Sequence, residues 1–302
     1  YITLQILYGY WGFTSVFLFW GAMIKATRLW GGDSNQGKAF GLLDGGRGIV
    51  AASMGSIGVF IFSIILTKNI GSASILERQE AFRFVILFSS FMVALIGLLV
   101  LIFLRNSDEK NTTVQSSLNS LTNIKNVLKN ESIWLLMLII MCAYVGYKVT
   151  DIYSLYASEV MLFDEIEAAE VGALQLYLRP IVCIAIGLLA DKTKNLFWII
   201  FGFIIMLVGA AIFSLGFIKS NMNFIFFLSL VVLAVGTYSI RALYFAVLKE
   251  AKIPFALTGT AVGLISVVGY SPDIFAGPMI GYLLDENPGI VGHQYVYFML
   301  VV

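Results

Sequence analysis

The sequence predicts an all-α protein that crosses a membrane many times. Hydrophobic residues make up 59% of the chain and charged residues only 12%, whereas a soluble domain averages about 25% charged residues. Most apolar runs continue for about 20 residues without a polar stripe, which is the length needed to span a bilayer. A large soluble helical protein would need helices with one polar face. Membrane β-strands are only about 10 residues long, so a helical bundle is expected.

Eight apolar runs are long enough to cross the membrane, and a ninth helix begins near His293, which we expect to lie at the membrane interface. The sequence starts without Met and both its ends fall within apolar segments, so we expect it to be a fragment. The predicted helices cover residues 1–29, 38–66, 82–104, 132–157, 168–190, 196–218, 222–248 and 256–284.

Basic residues in the connecting loops predict the orientation of the helices. One set of alternating loops carries most of the Lys and Arg side chains, and the positive-inside rule makes that set cytoplasmic. The richer set contains Lys25, Arg28, Lys38, Arg105, Lys110, Lys125, Lys129, Lys192, Lys194, Lys249 and Lys252, and the poorer set contains Lys68, Arg78, Arg83 and Lys219.

A polar stretch from Arg105 to Glu131 divides the chain. It is rich in Ser, Thr, Asn and Lys, and it predicts a cytoplasmic linker with a short surface helix at 121–128. Residues 1–104 would then be the second half of an N-terminal bundle, with three membrane helices. Residues 132–302 would be a C-terminal bundle of five helices and part of a sixth.

The segment from Gly37 to Gly58 carries glycines at helical spacing, which gives one helix face with almost no side-chain bulk. Another helix backbone can approach such a face closely. The pattern Gly37-Lys-Ala-Phe-Gly41-Leu recurs as Gly259-Thr-Ala-Val-Gly263-Leu, which predicts a parallel repeat of helices in the same membrane orientation.

The loop Gly187-Leu-Leu-Ala-Asp191-Lys192-Thr-Lys194 resembles the cytoplasmic signature of the major facilitator superfamily of secondary transporters. That signature has a Gly, an Asp four residues later and then basic residues, although the usual second glycine is missing here. With its long loop and parallel repeat, the whole chain resembles helices 4 to 12 of that family. The resemblance implies a two-bundle (6+6) fold lacking the first three helices and most of the last. It also implies a gating role for Gly187, Asp191 and Lys192, whereas a loop that only fixes orientation is the alternative.

Four basic and three acidic residues are predicted within the helices, where lipid cannot solvate a charge. The arginines lie near the midplane, where transporters built from parallel repeats bind solute, and tyrosine hydroxyls can line a polar cavity. The candidate solute-binding residues are Arg47, Arg179, Arg241, Lys148, Tyr147 and Tyr238, and the candidate proton-coupling or gating residues in the helices are Asp44, Asp151 and Asp273.

Several of these candidates also have a structural interpretation. Asp44 with Arg47, and Lys148 with Asp151, are three residues apart on a helix, so each pair could neutralise itself. Arg179 has no acid within four residues and precedes a proline, which favours a side chain that faces a cavity.

Asp273 lies between Pro272 and Pro278, where we expect a broken helix. Cys142 and Cys183 lack metal-ligand spacing and are expected to be packing residues, so no metal or other cofactor is predicted.

The function that we expect is secondary active transport, as a symporter or an antiporter. The excess of basic residues in the helices favours an organic or inorganic anion as solute, with protonation of Asp151 or Asp273 as a coupling step. The alternative is a sensor that binds solute without transporting it. A membrane enzyme is the weakest hypothesis, because the sequence has no HExxH, GxSxG or acidic metal motif. We expect a monomer in the plasma (inner) membrane, with lipid but no nucleic acid as a partner.

Overall fold

The computed structural model describes residues 2–65, 74–103 and 120–302. These residues form helices, turns and short connections, and no β-strand occurs among them, which confirms the all-α prediction. The helices are α1 (Ile2–Phe13), α2 (Gly21–Gly31), α3 (Gln36–Ile65), α4 (Ile75–Phe103), α5 (Ser120–Leu128), α6 (Glu131–Val149), α7 (Tyr153–Glu159), α8 (Glu165–Asp191), α9 (Asn195–Ser214), α10 (Asn223–Leu243), α11 (Thr258–Gly269), α12 (Pro272–Glu286) and α13 (Ile290–Val301).

Three of the predicted membrane segments contain more than one helix. A π-helical segment, Thr14–Trp20, joins α1 to α2, and a 3₁₀-helical turn, Thr150–Ile152, joins α6 to α7. The segment predicted at 256–284 is broken at Tyr270 and Ser271, because Pro272 begins α12. This break confirms the expectation for the region around Asp273.

Six segments of the described chain are long and apolar enough to cross a membrane. Their length and composition support a multi-pass membrane protein, in agreement with the sequence. These segments are Ile75–Phe103, Glu131–Glu159, Glu170–Asp191, Asn195–Ser214, Asn223–Leu243 and Phe255–Glu286. The segments predicted at 1–29 and 38–66 are also helical, as α1 with α2 and as α3, although they are not among the six.

The chain divides into two compact units. The first consists of Tyr1–Gly48 and Ser117–Val302, and it includes α1, α2, the start of α3 and all helices from α5 onward. The second, Ile49–Ser116, includes the rest of α3 and α4, and most of the described side chains of α4 are exposed. The domain boundaries at residues 104 and 131 stay a prediction. The predicted linker lies largely outside the described residues, but its short helix is found as α5.

Helix α10 lies at the centre of the first unit, where it packs against α6, α8 and α9. Every residue from 236 to 243 is buried, including the charged side chain of Arg241. A buried charge in such a position needs compensation from other helices, because neither apolar side chains nor lipid can solvate it.

The location expected for His293 at the membrane interface stays a prediction, but its side chain does not face lipid or water. Its side chain is fully buried, and its Nε2 atom lies 3.0 Å from a carboxylate oxygen of Glu159. The end of α7 and the first turn of α13 meet here, so the carboxylate supplies the polar contact that the imidazole would otherwise find at the interface.

Helices α3 and α8 touch through their glycines. A Cβ atom added at Gly41 would lie 2.5 Å from the carbonyl oxygen of Cys183 and 3.0 Å from the Cα atom of Gly187. A Cβ added at Gly187 would in turn meet the Gly37 carbonyl oxygen at 2.5 Å. The smooth helix face predicted from the sequence therefore brings two backbones into direct contact.

We expect Gly41→Ala to lower stability by about 1–3 kcal/mol, because backbone atoms of α8 cannot move aside for the added methyl group. Gly46→Ala is the matched control on the same helix, since a Cβ there meets nothing within 4 Å. Its effect should stay within about 1 kcal/mol, on the stabilising side. Thermal unfolding of the purified protein in detergent measures both. Equal midpoints for Gly41→Ala and Gly46→Ala would contradict the close contact.

Candidate functional site

Three arginines from three helices converge on the carboxylate of Asp44. Arg179 on α8 binds it with two hydrogen bonds, from Nη2 to Oδ1 at 2.7 Å and from Nε to Oδ2 at 3.2 Å. Arg47, one turn along α3, donates to Oδ1 at 3.2 Å, and Nε of Arg241 on α10 lies 3.5 Å from the same oxygen. We call these four residues the arginine cluster. Asp44 is the one carboxylate that the three guanidinium groups share in the described part of the chain.

The members of the arginine cluster differ in exposure. The side chains of Arg179, Arg241 and Asp44 are 9%, 6% and 8% exposed, whereas that of Arg47 is 38% exposed. The guanidinium group of Arg47 lies over the Trp20 ring, 4.7 Å from its centroid. Two positive charges and one negative charge are therefore held in the interior, and a third positive charge lies at its edge.

Arg241 has the least polar compensation of the three arginines. Its guanidinium group stacks on the Tyr147 ring at 3.8 Å, and neither Nε nor Nη1 has a hydrogen-bond partner among the described residues. Stacking on an aromatic face stabilises a cation but leaves its N–H groups able to donate in the plane of the guanidinium. These donors could bind an acceptor atom of a solute.

A small cavity adjoins the cluster. Its volume is about 10 Å³, and Asp44, Arg47, Arg241, Trp20 and Tyr244 are among its lining residues. That volume is about what one water molecule needs. A solute larger than water does not fit into this cavity as it stands.

A second charged group lies further out on the helices. Nζ of Lys148 is 3.2 Å from Asp151 and 3.6 Å from Asp273, and the Tyr144 hydroxyl also donates to Asp273 at 3.0 Å. The Tyr144 ring lies 5.7 Å from the Arg241 guanidinium, so this group is close to the arginine cluster. Lys148 is thus held by two acids and is not brought into the cluster.

Of two other polar residues near the cluster, Cys183 contacts it and the candidate Tyr238 does not. The Tyr238 hydroxyl donates to the Gln175 side chain at 3.3 Å, and it has no hydrogen bond to an arginine among the described residues. Cys183 was expected only to fill space, but its thiol lies 3.4 Å from Asp44 Oδ2. Trp20, Gln175 and Cys183 carry no sequence signal that separates them from packing residues, so the sequence could not identify them.

Asp191 binds the N-terminus of α3. Its two carboxylate oxygens accept hydrogen bonds from the backbone N–H groups of Gly37 at 2.7 Å and Lys38 at 2.8 Å. A carboxylate in this position satisfies free amides and interacts favourably with the helix dipole. Lys192, the neighbouring candidate, is exposed. Because Gly187 packs closely against Gly37, the last residue of α8, Asp191, lies at this end of α3.

Two further contacts lie at the same end of the helices. The buried Arg28 donates to the Thr258 hydroxyl and to the carbonyl oxygen of Ile253, both at 2.7 Å. Lys249 binds Asp33 at 2.7 Å, and this hydrogen bond and the lysine charge lower the pKa of the Asp33 carboxyl. Together with Asp191, these contacts connect α2 and α3 to the end of α8, to the segment between α10 and α11, and to the start of α11.

The model of the Major Facilitator Superfamily matches residues 2–285 of the chain. The chain is 26% identical to the inner membrane protein YihN of Escherichia coli K12, over 98% of its own length and 72% of that protein. It is 25% identical to the inner membrane protein YqcE of the same organism, over 95% of its length and 67% of that protein. No solved structure matches the chain significantly.

We expect Asp191→Asn to weaken the cap on α3 by about 1 kcal/mol, because the amide has one acceptor oxygen and no charge. Backbone hydrogen exchange at Gly37 and Lys38 should become several-fold faster. Asp285→Asn is the control, since Asp285 is an exposed carboxylate in the last turn of α12. Unchanged exchange at Gly37 and Lys38 in Asp191→Asn would show that the cap does not hold this helix end.

Proposed function

Because this chain belongs to the major facilitator superfamily, whose members are transporters, we propose that it carries a small anionic solute across the membrane by alternating access. The observation that carries this proposal is the arginine cluster. Three guanidinium groups share a single carboxylate in the interior of the first unit, next to unpaired N–H donors of Arg241.

The balance of charge in the cluster favours an anion over a cation or a neutral solute. The buried members alone leave one positive charge uncompensated, and Arg47 at the edge adds a second. An uncompensated charge in a low-dielectric interior is strongly unfavourable, whereas a bound anion would be attracted by the whole cluster. The planar fork of a guanidinium group can also donate two parallel hydrogen bonds to two oxygens of a carboxylate, phosphate or sulfonate group.

The contacts at the end of α3 support the alternating-access part of the proposal. Asp191, Arg28 and Lys249 close that end, which the loop charges assign to the cytoplasm. The cavity at the cluster is far smaller than a solute, and in our proposal the helices separate to let the solute enter and leave. In this scheme the three contacts break when the cytoplasmic side opens, and the glycine contact between α3 and α8 allows the helices to slide.

We assign Asp151 and Asp273 to proton coupling or gating. Two carboxylates share the single Lys148 ammonium, so a proton on either acid would relieve their mutual repulsion. The relatives named as inner membrane proteins support a location in the plasma (inner) membrane, and we propose that the protein acts there as a monomer.

Arg179→Ala should lower the rate of anion uptake by roughly 30-fold or more, because truncating one partner of a buried, hydrogen-bonded charge pair costs about 2 kcal/mol at least. Asp44 keeps Arg47 and Arg241 as partners, so the variant should still fold. Uptake is measured in proteoliposomes with labelled succinate, glucose 6-phosphate and methanesulfonate, and with mannitol as the uncharged control.

Lys219→Ala is the matched control, since it also removes a positive charge but from an exposed loop. Normal anion uptake by Arg179→Ala would contradict the assignment of the arginine cluster as the anion site. Counterflow of the labelled anion separates transport from the alternative of a solute sensor, because a sensor shows none.

A further inference from the structure

Asp44 already occupies the cluster as an anion would. Arg179 binds it through two N–H groups and both carboxylate oxygens, which is the usual way an arginine binds a carboxylate ligand. Cys183 and Arg241 approach the same carboxylate from α8 and α10. A solute anion that bound to Arg179 in this way would need the position that the Asp44 side chain holds.

The cavity leaves no room for both anions. With space for about one water molecule beside Asp44, a carboxylate, phosphate or sulfonate group cannot enter while Asp44 stays in place. Because Asp44 already holds the Nε and Nη2 groups of Arg179, it has to move before a solute can bind to Arg179 through them. A displaced carboxylate must still be compensated, since lipid and apolar side chains cannot solvate it.

Arg47 can compensate Asp44 after such a displacement. It lies one turn along the same helix and already donates to Asp44 Oδ1 at 3.2 Å, so the two side chains stay within reach of each other however α3 moves. Because the Arg47 side chain is partly exposed, its guanidinium group can stay paired with the Asp44 carboxylate when that carboxylate moves to the edge of the cavity.

Resting on the proposed anion transport, we propose that Asp44 is a tethered substitute for the solute anion. In the empty site the carboxylate binds Arg179 and lies beside Arg241. When the solute anion binds to these two arginines, Asp44 turns away and pairs with Arg47 alone. Asp44 and the solute thus compete for the same guanidinium groups, and Arg47 makes the exchange possible.

Binding of succinate, glucose 6-phosphate and methanesulfonate to the purified protein, measured by calorimetry, tests this exchange. Asp44→Asn removes the competitor and keeps the shape of the side chain, so the anion that the wild type binds should bind at least about tenfold tighter, in line with the strength of close buried charge pairs. Arg47→Gln removes the partner that receives Asp44, so binding should weaken by a similar factor.

The double variant Asp44→Asn/Arg47→Gln makes the test specific. Without Asp44 there is no displaced carboxylate for Arg47 to bind. The loss of anion affinity caused by Arg47→Gln should then disappear, and the double variant should bind the anion as tightly as Asp44→Asn does. If Arg47 is itself a ligand of the solute, Arg47→Gln weakens binding equally with and without Asp44, which overturns the exchange. Weaker binding by Asp44→Asn also overturns it, because Asp44 would then be a fixed positioning residue.

Asp44→Asn leaves two buried guanidinium groups without their counterion and could fail to fold. In that case the variant is purified with and without sodium sulfate. Folding only with sulfate supports the exchange, because the free anion then replaces Asp44, whereas failure to fold in both conditions overturns it. If neither wild type nor variants bind any of the three anions, the proposed anion transport itself fails. Binding by the wild type with weaker binding by Asp44→Asn removes only the exchange.

Discussion

Asp44 carries one negative charge for three guanidinium groups, and the packing around it follows from this constraint. An aspartate side chain is short, so it reaches Arg179 on another helix only if the two backbones lie close together. The glycines of α3 provide that approach, because Gly37 and Gly41 meet Gly187 and the Cys183 carbonyl directly. A residue with a side chain at either position would push α8 away and separate Asp44 from Arg179. The smooth glycine face and the charged cluster are thus two parts of one arrangement.

The sequence could predict which residues are unusual, but not which of them meet. The composition and the length of the apolar runs predicted a helical membrane protein, and the depth of Arg47, Arg179 and Arg241 predicted a shared site. Within one helix the spacing of Asp44 and Arg47 also predicted their contact, which the structure contains. Contacts within a helix depend on the helical period alone.

Contacts between helices depend on rotation and packing, which the sequence leaves open. The partner of Arg179 lies 135 residues away in the chain, so no local pattern could reveal it. The burial of His293 beside Glu159 was missed for the same reason, since it follows from where two helix ends meet. The close contact between α3 and another helix was the exception. A continuous helix face without side chains predicts that some helix packs closely against it, although it does not say which one.

The contacts at the end of α3 differ in kind from those in the arginine cluster. Asp191 binds backbone amides, and Arg28 binds a hydroxyl and a carbonyl oxygen, so water can replace either set of partners when the end opens. The net contribution of hydrogen bonds to charged groups is about 1.5–3 kcal/mol each, which is small enough for these contacts to break and re-form when water takes over the partners. The cluster has no comparable replacement, because Arg179 and Arg241 share one buried carboxylate and two N–H groups of Arg241 have no acceptor among the described residues.

This difference bears on how a carrier could return empty. If Arg179 and Arg241 lost their only anion when the solute left, two positive charges would face an apolar interior during the return, which is strongly unfavourable. On the proposed exchange, Asp44 moves back from Arg47 as the solute departs, so the same two arginines are compensated in the loaded and in the empty site. The helices could then change conformation in either state, with the weak contacts around Asp191, Arg28 and Lys249 as the part that opens. A tethered anion would therefore let the protein complete its cycle without exchanging one solute molecule for another.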